Sequence, residues 1–452
     1  MDSRFREFAI RLKWRRFGVD FRGTWQFMAE SQYWPLDRLR AYRDEKLRLI
    51  VTHAYEQSPA YRRLMDERAV RPADVQGLAD LPKLPIMTKQ ILREQWDELR
   101  ARDIPEEAVE NMATGGTTGN PVRIAREYKT LSCQIVAHMR GISWGGLGLR
   151  QKHVLLTGHS LSSNRPPPRL AGLRSWLIGV VPLSGYDLGS PGIIGKYAKV
   201  IRRSGARFLV GYASACYLLA TLAQQSGEKI TLEAVYPTSE LCPPDWAETM
   251  NKVFSAKVLP FYGCGEVNSL GHTCPQGGVY HSCDEHAVIE AEDDQGGASL
   301  EGEGAFLITD LDNRAVPYIR YRNGDVGRLA GAGCPCGRSL GRIVELHGRV
   351  NDMLVTSQGA RVSGMVAANA FLAVRRVECF QVVQQRPGQV CVRVVRQDGY
   401  DAASAEAHLN SFFRQFLGGD AKVEIEYVES IPLPKSGKRR FVINEYLASQ
   451  NK

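Results

Sequence analysis

The amino-acid sequence predicts an α/β fold: a large N-terminal α/β domain with parallel sheets and a β-rich sub-domain, followed by a small C-terminal α+β domain. Three observations support this prediction. The chain has 452 residues, more than the roughly 250–300 residues at which a single core stops growing. Short apolar runs alternate with helical stretches between residues 111 and 346, which predicts parallel strands joined by helices. The last part of the chain instead places strand-like segments on either side of one helix, so we predict two domains, 1–347 and 348–452.

The first part of the chain is predicted to form two helices. Residues 4–22 interleave large apolar side chains with seven basic ones, as in a basic amphipathic helix. We favour an interpretation in which this helix packs its apolar side on the domain, over one in which it lies on a membrane surface. The apolar spacing of residues 37–61 predicts a second helix, which Pro59 ends.

The later elements follow from the same patterns. Buried strands are predicted at 153–157, 207–210 and 257–261, with helices at 193–201 and 217–225 between them. Segments 305–309 and 318–321 are predicted to be strands of a more antiparallel sub-domain. In the C-terminal domain the predicted elements are strands 380–383, 390–395 and 423–427 and a helix over 403–416.

Composition and charge exclude several classes of protein. Hydrophobic residues make up 44% and charged residues 24%, which is typical of globular rather than disordered or fibrous chains. The net charge of +9 is mild and spread out, so it fits an enzyme that handles anions at least as well as a nucleic-acid binder. No apolar window is long enough for a transmembrane helix, and the N-terminus does not have the pattern of a signal peptide. Ten irregularly spaced cysteines predict a reducing, cytoplasmic location.

A loop rich in glycine and threonine is the first motif that carries chemistry. It spans residues 114–121, with the sequence Thr-Gly-Gly-Thr-Thr-Gly-Asn-Pro. Its glycines let the backbone approach a ligand closely, and its exposed N–H groups and hydroxyls suit phosphate oxygens. It is not a Walker A loop, because no Gly-Lys-Ser/Thr follows. A plain hairpin turn is the alternative interpretation.

Four further motifs follow in order. Phe261-Tyr262-Gly263-Cys264-Gly265-Glu266 combines a ring that can stack on a base with a carboxylate that can hold Mg²⁺. In Tyr321-Arg322-Asn323-Gly324-Asp325, a carboxylate follows an apolar run and can accept ribose hydroxyls. The other two motifs are Gly348-Arg349-Val350-Asn351-Asp352-Met353 and the lysine segment Pro434-Lys435-Ser436-Gly437-Lys438. A lysine on such a loop can stabilise a phosphoryl transition state, and a solvated basic turn is the alternative.

Together the five motifs resemble the adenylate-forming superfamily of acyl-CoA synthetases and adenylation domains. Within it, the sequence is most similar to the phenylacetate–coenzyme A ligase family and its CapK-type branch. Two further segments support the resemblance: Val51–Arg62 and the turn Gly211-Tyr212-Ala213-Ser214. The resemblance extends from about Leu36 to the C-terminus.

The resemblance implies a role for particular residues. On this resemblance the 114–121 loop binds the phosphates of ATP, through Thr114, Gly115, Gly116, Thr117, Thr118 and Gly119. The adenine side corresponds to Ser239, Glu240 and Tyr262, the magnesium-associated glutamate to Glu266, and the ribose-contacting pair to Asp325 and Arg349. Lys438 corresponds to the lysine that drives adenylation, and Asn351 to the hinge about which a mobile C-terminal lid domain rotates. With Thr117, Thr118 and Glu266, Lys438 makes up the expected catalytic set.

Three positions depart from the pattern of the family. Asn120 stands where many members carry lysine, and Asn351 stands where the hinge residue is commonly aspartate. After Gly359 the chain reads Ala-Arg-Val-Ser rather than Val-Asn-Val-Phe-Pro.

A metal site is predicted from the cysteines and histidines. Cys274 and His281 lie seven residues apart, and Cys334 and Cys336 form a later Cys-Pro-Cys pair. Three thiols and one imidazole form a soft, closed, tetrahedral set of the kind that holds structural Zn²⁺. The family resemblance also implies such a site. His272 and Cys283 lie nearby in the sequence and are possible substitute ligands. Reduced cysteines packed as small hydrophobic residues are the alternative.

The resemblance implies an ATP-dependent ligase that forms an acyl-AMP and then transfers the acyl group to coenzyme A. It favours an aryl or arylacetic acid, in a pocket lined by Tyr212, Ala213 and Tyr236. Two alternatives stay open: transfer to an amine or hydroxyl acceptor in polysaccharide or secondary-metabolite biosynthesis, and a non-catalytic nucleotide-binding homologue. We expect ATP, Mg²⁺, structural Zn²⁺ and coenzyme A as cofactors, a small carboxylic acid as partner and no nucleic acid. A homodimer stays open.

Overall fold

The computed structural model describes residues 20–113, 122–149, 151–157, 179–190, 192–349, 353–362, 364, 367, 370–371, 374–432 and 440–450. Within these ranges the predicted α/β class is confirmed, because a parallel sheet, a large antiparallel sheet and a C-terminal α+β unit are all present. The basic N-terminal segment falls mostly outside them. Among the described residues, no helix is both long and apolar enough to cross a membrane.

The helices of the described residues are α1 (Phe21–Ser31), α2 (Leu36–Gln57), α3 (Pro59–Asp66), α4 (Lys89–Glu94), α5 (Trp96–Leu99), α6 (Leu131–Ser143), α7 (Ile193–Ser204), α8 (Ala213–Ser226), α9 (Pro244–Phe254), α10 (Ala402–Leu417) and α11 (Glu445–Gln450). Short 3₁₀ helices span Pro72–Asp74, Leu78–Lys83, Glu106–Ala108 and Tyr186–Gly189. The helix predicted over 37–61 ends at Gln57, because Ser58 caps a new helix that has Pro59 at its first position.

The central sheet of the N-terminal part is parallel. Its five strands run in the order β4-β3-β5-β6-β7. They span Val180–Ser184 (β4), His153–Thr157 (β3), Phe208–Tyr212 (β5), Ala234–Thr238 (β6) and Lys257–Val258 (β7). Helices α7, α8 and α9 pack against it and bury an apolar core that includes Val154, Leu209, Leu219, Val235 and Phe254. Ligands of open α/β sheets bind outside the carboxyl ends of the strands, and Tyr212 and Thr238 are these ends for β5 and β6.

The second sheet is antiparallel and has the strand order β12-β11-β13-β14-β15-β10-β9-β8. Its strands are β8 (Phe261–Cys264), β9 (Asn268–Thr273), β10 (Tyr280–Ser282), β11 (Ala287–Glu292), β12 (Ala298–Ser299), β13 (Gly302–Asp310), β14 (Tyr321–Ala330) and β15 (Arg342–Arg349). The N-terminal helices pack on it, and their joint core includes Leu47, Tyr61, Phe306 and Tyr318. A separate antiparallel hairpin of β1 (Val109–Ala113) and β2 (Arg123–Glu127) flanks the glycine- and threonine-rich loop.

Two predicted strands are wrong in their bounds. The strand predicted over 257–261 is interrupted at Leu259 and Pro260, where the chain passes from the parallel sheet to the antiparallel one. Proline has no N–H for a sheet hydrogen bond, so Pro260 marks this change of sheet. The strand predicted over 318–321 begins only at Tyr321, because Arg320 adopts a left-handed conformation with φ of 48°.

The C-terminal unit contains a four-stranded sheet in the order β20-β19-β18-β21. Its strands are β18 (Val377–Arg386), β19 (Gln389–Arg396), β20 (Lys422–Tyr427) and β21 (Val442–Asn444), and a small hairpin joins β16 (Leu354–Val355) to β17 (Arg361–Val362). Helix α10 covers the sheet with an apolar side that includes Leu409, Phe413 and Leu417. The aromatic ring of Phe441 meets Trp246 of α9, so this unit contacts the N-terminal part.

Candidate active site

Tyr262, Asn323 and Asp325 form a buried hydrogen-bonded group. The Tyr262 hydroxyl donates to Oδ2 of Asp325 over 2.7 Å, and Nδ2 of Asn323 donates to the same oxygen and to the Tyr262 hydroxyl, over 2.5 and 2.8 Å. All three residues are at least nine-tenths buried. Burial and the adjacent carboxylate raise the pKa of Tyr262 well above its usual range, so its hydroxyl remains a donor. Asp325 is thereby fixed in one orientation.

This group joins two strands that are distant in the sheet. Tyr262 lies on β8 and Asp325 on β14, with β15, β10 and β9 between them in strand order. The sheet therefore curls so that one end approaches its middle. The second carboxylate oxygen of Asp325 lies 3.6 Å from Nε of Arg349, a half-exposed side chain. The predicted ribose pair, Asp325 and Arg349, is thus brought together with the predicted adenine-side residue Tyr262.

Glu266 lies beside this group, in the turn between β8 and β9. It is 5% exposed, and one of its carboxylate oxygens accepts a hydrogen bond of 2.7 Å from the Tyr321 hydroxyl. Among the described residues no hydrogen bond is made to its other oxygen. The hydrogen bond from Tyr321 fixes the orientation of the carboxylate, so its other oxygen is a suitable ligand for Mg²⁺. This ion favours one or two carboxylates together with substrate phosphates.

Lys89 is a site residue that the sequence motifs did not indicate. It begins helix α4, whose first turn is capped by Thr88, and its ammonium group donates to the backbone oxygen of Asn323 over 2.7 Å. Burial and the nearby Arg349 lower its pKa, whereas Glu266 and Asp325 act in the opposite direction. Gly324 has φ of 90°, and a Cβ there would lie 3.4 Å from the Lys89 ammonium. Lys89 therefore adds a cation beside both predicted acidic residues.

The adenine-side segment of Ser239 and Glu240 follows strand β6. Ser239 has a left-handed backbone with φ of 67°, and Oε2 of Glu240 accepts a hydrogen bond of 2.8 Å from the backbone N–H of Ser214. Ser214 lies in the first turn of α8, where N–H groups have no partner within the helix and favour negative charge. This contact joins the carboxyl ends of β5 and β6.

The three predicted pocket residues are buried, but they lie in two separate apolar clusters: Tyr212 and Ala213 in one, and Tyr236 in another. Tyr212 ends β5, Ala213 begins α8 and Tyr236 lies within β6. The Tyr236 hydroxyl donates to the backbone oxygen of Ile142 over 2.8 Å and accepts from the N–H of Leu147 over 3.4 Å. These bonds tie Tyr236 to helix α6 and the segment after it. Its role in an acyl pocket stays a prediction.

The remaining predicted residues lie outside the described ranges: Thr114, Gly115, Gly116, Thr117, Thr118, Gly119, Asn351 and Lys438. Their flanking segments are described. The β1–β2 hairpin pairs Ala113 with Arg123 at its loop end, and the Arg126 guanidinium donates to the backbone oxygen of Gly265. Because Gly265 precedes Glu266, the hairpin is joined directly to the predicted magnesium residue.

Cys274, His281, Cys334 and Cys336 come together at one point, as their spacing predicted. Their four ligand atoms all lie within 4.8 Å of one another. Sγ of Cys274 is 3.8 Å from Sγ of Cys334, and Nε2 of His281 is 3.2 Å from Sγ of Cys336. Tetrahedral Zn–S bonds of about 2.3 Å imply a sulfur–sulfur separation of roughly 3.8 Å, so the thiol and imidazole groups fit zinc. The substitute ligands His272 and Cys283 instead contact each other over 3.7 Å, and His272 contacts His138.

Comparisons with known proteins agree with the motifs. Residues 354–445 match the model of the CapK C-terminal domain. The chain is 29% identical to a phenylacetate–coenzyme A ligase of Thermus thermophilus, with 80% of this chain and 82% of the relative covered. It is 20% identical to the protein CapK of Staphylococcus aureus, over 81% of both chains.

A solved structure shows the same fold. The structure of 2-hydroxyisobutyryl-CoA ligase in the postadenylation state, bound to R3-HIB-AMP, has a TM-score of 0.74 at 17% identity and covers 94% of both chains. The same ligase in the thioesterification state has a TM-score of 0.61.

The fold and these relatives indicate the class of protein that the chain resembles: the adenylate-forming enzymes of the acid–thiol ligase type. Within that class it is a homologue of the phenylacetate–coenzyme A ligases and of CapK. The resemblance drawn from the five motifs is thereby confirmed.

Proposed function

We propose that this enzyme activates an aryl or arylacetic acid with ATP and transfers the resulting acyl group to coenzyme A. The observation that carries the proposal is the buried group of Tyr262, Asn323 and Asp325, with Glu266 and Lys89 beside it. A fixed carboxylate suits the two hydroxyls of a ribose, and the neighbouring charges suit a nucleotide phosphate. The phenylacetate ligases among its relatives support the class of acid.

In the first step, a carboxylate oxygen of the acid attacks the α-phosphorus of ATP. A bond forms between that oxygen and phosphorus, the bond from phosphorus to the bridging oxygen of the β-phosphate breaks, and pyrophosphate leaves. Such a reaction needs positioning and charge stabilisation more than a protein nucleophile. We assign positioning of the ribose to Asp325 and Arg349, and contact with the phosphates to Thr117, Thr118 and Lys438.

Mg²⁺ would be held by Glu266 and would neutralise charge on the triphosphate. Tyr321 orients Glu266 by donating to one of its oxygens, and the other oxygen, which no described residue bonds, can face a ligand. Lys89 places a cation close to the same carboxylate and supports the Asn323 backbone.

In the second step, the sulfur of coenzyme A attacks the acyl carbonyl carbon. A thioester forms, the bond to the AMP oxygen breaks, and the thiol proton passes to solvent. We propose that the C-terminal domain rotates before this step, with the domain boundary between residues 347 and 348 and the hinge at Asn351.

Structural Zn²⁺ would be held by Cys274, His281, Cys334 and Cys336, joining the β9–β10 segment to the loop between β14 and β15.

A second acceptor class is favoured by one observation, the match of residues 354–445 to the CapK C-terminal domain. On this alternative the acyl group passes to an amine or hydroxyl rather than to coenzyme A. Turnover that depends on coenzyme A supports coenzyme A as the acceptor. Pyrophosphate release that stops after about one equivalent per enzyme, even with coenzyme A present, supports an amine or hydroxyl acceptor.

The proposed ribose contact predicts the effect of Asp325→Asn. The variant should lower kcat/KM for ATP by about 10²-fold, because two charge-assisted hydrogen bonds become neutral, at roughly 1.4 kcal/mol each. Exchange of labelled pyrophosphate into ATP, with phenylacetate as the acid, measures this change. Glu292→Gln is the matched control, since Glu292 pairs with Arg322 on the same sheet. Equal losses in the two variants would contradict the assignment.

Lys89→Met tests the residue found only from the structure. We expect kcat/KM for ATP to fall by about tenfold, because a cation beside Glu266 and Asp325 is lost while side-chain volume is kept. Gln90→Ala, on the exposed side of the same helix, should leave the rate unchanged. A wild-type rate in Lys89→Met would show that the ammonium group serves only the fold.

A further inference from the structure

A second cluster of potential metal ligands shares no residue with the proposed zinc site. It consists of His286, which precedes β11, Asp310, which ends β13, and Asp312. One ring nitrogen or carboxylate oxygen of each residue lies within 4.8 Å of those of the other two. All three residues are at most 6% exposed. We call these three residues the His–Asp cluster.

The hydrogen bonding of His286 leaves one of its ring nitrogens available. Nε2 lies 2.5 Å from the backbone oxygen of Ser269 on β9. Because a carbonyl oxygen can only accept a hydrogen bond, Nε2 carries a proton, and Nδ1 has a free lone pair in the neutral ring. Metal-binding histidines commonly donate from their second nitrogen to a backbone carbonyl in this way. Nδ1 is buried and has no hydrogen-bond partner among the described residues, so it is available to an ion.

The two carboxylates are oriented by groups outside the cluster. Oδ2 of Asp310 accepts from Nε2 of Gln134 on α6 over 3.0 Å, and its Oδ1 accepts from the N–H of Asn313 over 3.1 Å. Oδ1 of Asp312 pairs with the ammonium group of Lys46 on α2. Its Oδ2 is buried and makes no hydrogen bond to a described residue. The cluster thus holds a second buried atom that lacks a partner.

The charges of the cluster favour a cation. Lys46 offsets only one of the two negative charges of Asp310 and Asp312. A buried carboxylate without a counter-charge is costly, so a second positive charge is needed, either as a proton on Nδ1 of His286 or as a metal ion. The geometry favours the ion, because a proton on a buried Nδ1 would need an acceptor, and Nδ1 makes no hydrogen bond to any described residue.

We propose that the His–Asp cluster binds a divalent metal ion of the Mn²⁺ type, through Nδ1 of His286 and one carboxylate oxygen each of Asp310 and Asp312. Carboxylate ligands suit Mn²⁺, whereas thiolate ligands select Zn²⁺, so the two clusters take different ions. The nitrogen ligand disfavours Mg²⁺ and Ca²⁺, which take oxygen ligands. Metal–ligand distances of about 2.0–2.3 Å keep ligand atoms within about 4.6 Å of one another, which is close to the size of this cluster.

An ion at this place would fix the loop that holds strand β2. Asn313 follows Asp312, and its Nδ2 donates to the backbone oxygen of Ala125 over 2.9 Å. Its Oδ1 accepts from the N–H of Glu127 over 3.3 Å. Both partners lie on β2. The ion would therefore have a structural role that is independent of the proposed acid and acceptor.

Metal analysis tests the site in the absence of nucleotide and acid. Because the cluster is buried, the protein is produced in medium supplemented with MnCl₂ and then desalted. We expect about one equivalent of Mn²⁺ in the wild-type protein and in Cys336→Ser. Asp312→Asn and His286→Gln should each lower the bound Mn²⁺ by about tenfold or more, since even loss of an outer-shell partner costs 10–100-fold in metal affinity. Glu290→Gln, which alters another buried acid that is paired with Arg320, should keep its Mn²⁺.

The variant Lys46→Met distinguishes an ion site from a buried ion pair. Without the ammonium group, both carboxylates depend on the ion, so Mn²⁺ should be retained and should raise the melting temperature more than it does in the wild-type protein. If the cluster served only to pair Asp312 with Lys46, this variant would lose stability that Mn²⁺ does not restore, and the proposal would be wrong.

Pulsed EPR of the wild-type protein keeps the test decisive if the variants fail to fold. Bound Mn²⁺ should show hyperfine coupling to a nitrogen, as expected for a histidine ligand. Wild-type protein with well under one equivalent of Mn²⁺, Mn²⁺ without nitrogen coupling, or Mn²⁺ retained in both Asp312→Asn and His286→Gln would each overturn the proposal. Protein without Mn²⁺ that still catalyses acid-dependent pyrophosphate exchange would refute this metal site and leave the proposed function intact.

Discussion

Replacing Lys438 by alanine is expected to reduce acid-dependent pyrophosphate exchange by about 10²–10³-fold. The reason is electrostatic: removing one preorganised group that stabilises developing charge in a transition state costs a factor of this size. The lysine should matter while the α-phosphorus is attacked and not afterwards. Thioester formation from supplied phenylacetyl-AMP should therefore proceed at close to the wild-type rate.

Lys435→Ala is the matched control for this variant. Lys435 lies on the same short segment, three residues before Lys438, and carries the same charge. A general effect of positive charge near the site would lower the rate in both variants, whereas a specific role lowers it only in Lys438→Ala. Loss of both half-reactions in Lys438→Ala would also contradict the assignment, because the lysine would then be needed for the fold of the C-terminal unit.

Removing the proposed zinc is expected to give the largest loss of stability. Cys336→Ser should reduce bound zinc from about one equivalent to well below it, because a tetrahedral site would lose one of its four ligands. The melting temperature should fall by several degrees, as expected for a loss of about 2 kcal/mol or more. Metal analysis of the purified protein and a thermal unfolding curve measure the two effects.

Cys391→Ser is the control for the cysteine substitution. Cys391 lies on β19, in the C-terminal unit, where its thiol contacts Glu426 and not the metal cluster. Its replacement should change neither zinc content nor melting temperature. If wild-type protein held well under one equivalent of zinc, the four-ligand proposal would be wrong, and the cysteines would be packed as small apolar side chains.

The parts of the fold that the sequence predicted are those set by local pattern. The strand at 153–157 and the helix at 193–201, which ends at Ser204 before the left-handed Gly205, follow from apolar spacing and glycine position. The change of sheet at Pro260 and the turn at Arg320 depend on which sheet each strand joins. Apolar patterning within a short window does not contain that information.

The same distinction applies to the candidate site. Tyr262, Glu266 and Asp325 lie in recognisable motifs, so they could be predicted by resemblance. Lys89 could not be predicted, because its contact with Asn323 joins residues 234 positions apart. The local sequence around it indicates only the start of a helix. The buried hydrogen bond between Gln384 and Asn444 could not be predicted either, since isolated glutamine and asparagine residues carry no pattern until β18 and β21 are placed side by side.

The measurement that tests the central claim most directly is pyrophosphate release from ATP over a panel of aryl, arylacetic, fatty and amino acids, each with and without coenzyme A. The account predicts release that depends on an aryl or arylacetic acid, continues only when coenzyme A is present, and collapses in Lys438→Ala. Absence of release with every acid, by protein that still binds ATP, would contradict it and would identify the chain as a nucleotide-binding homologue without this activity.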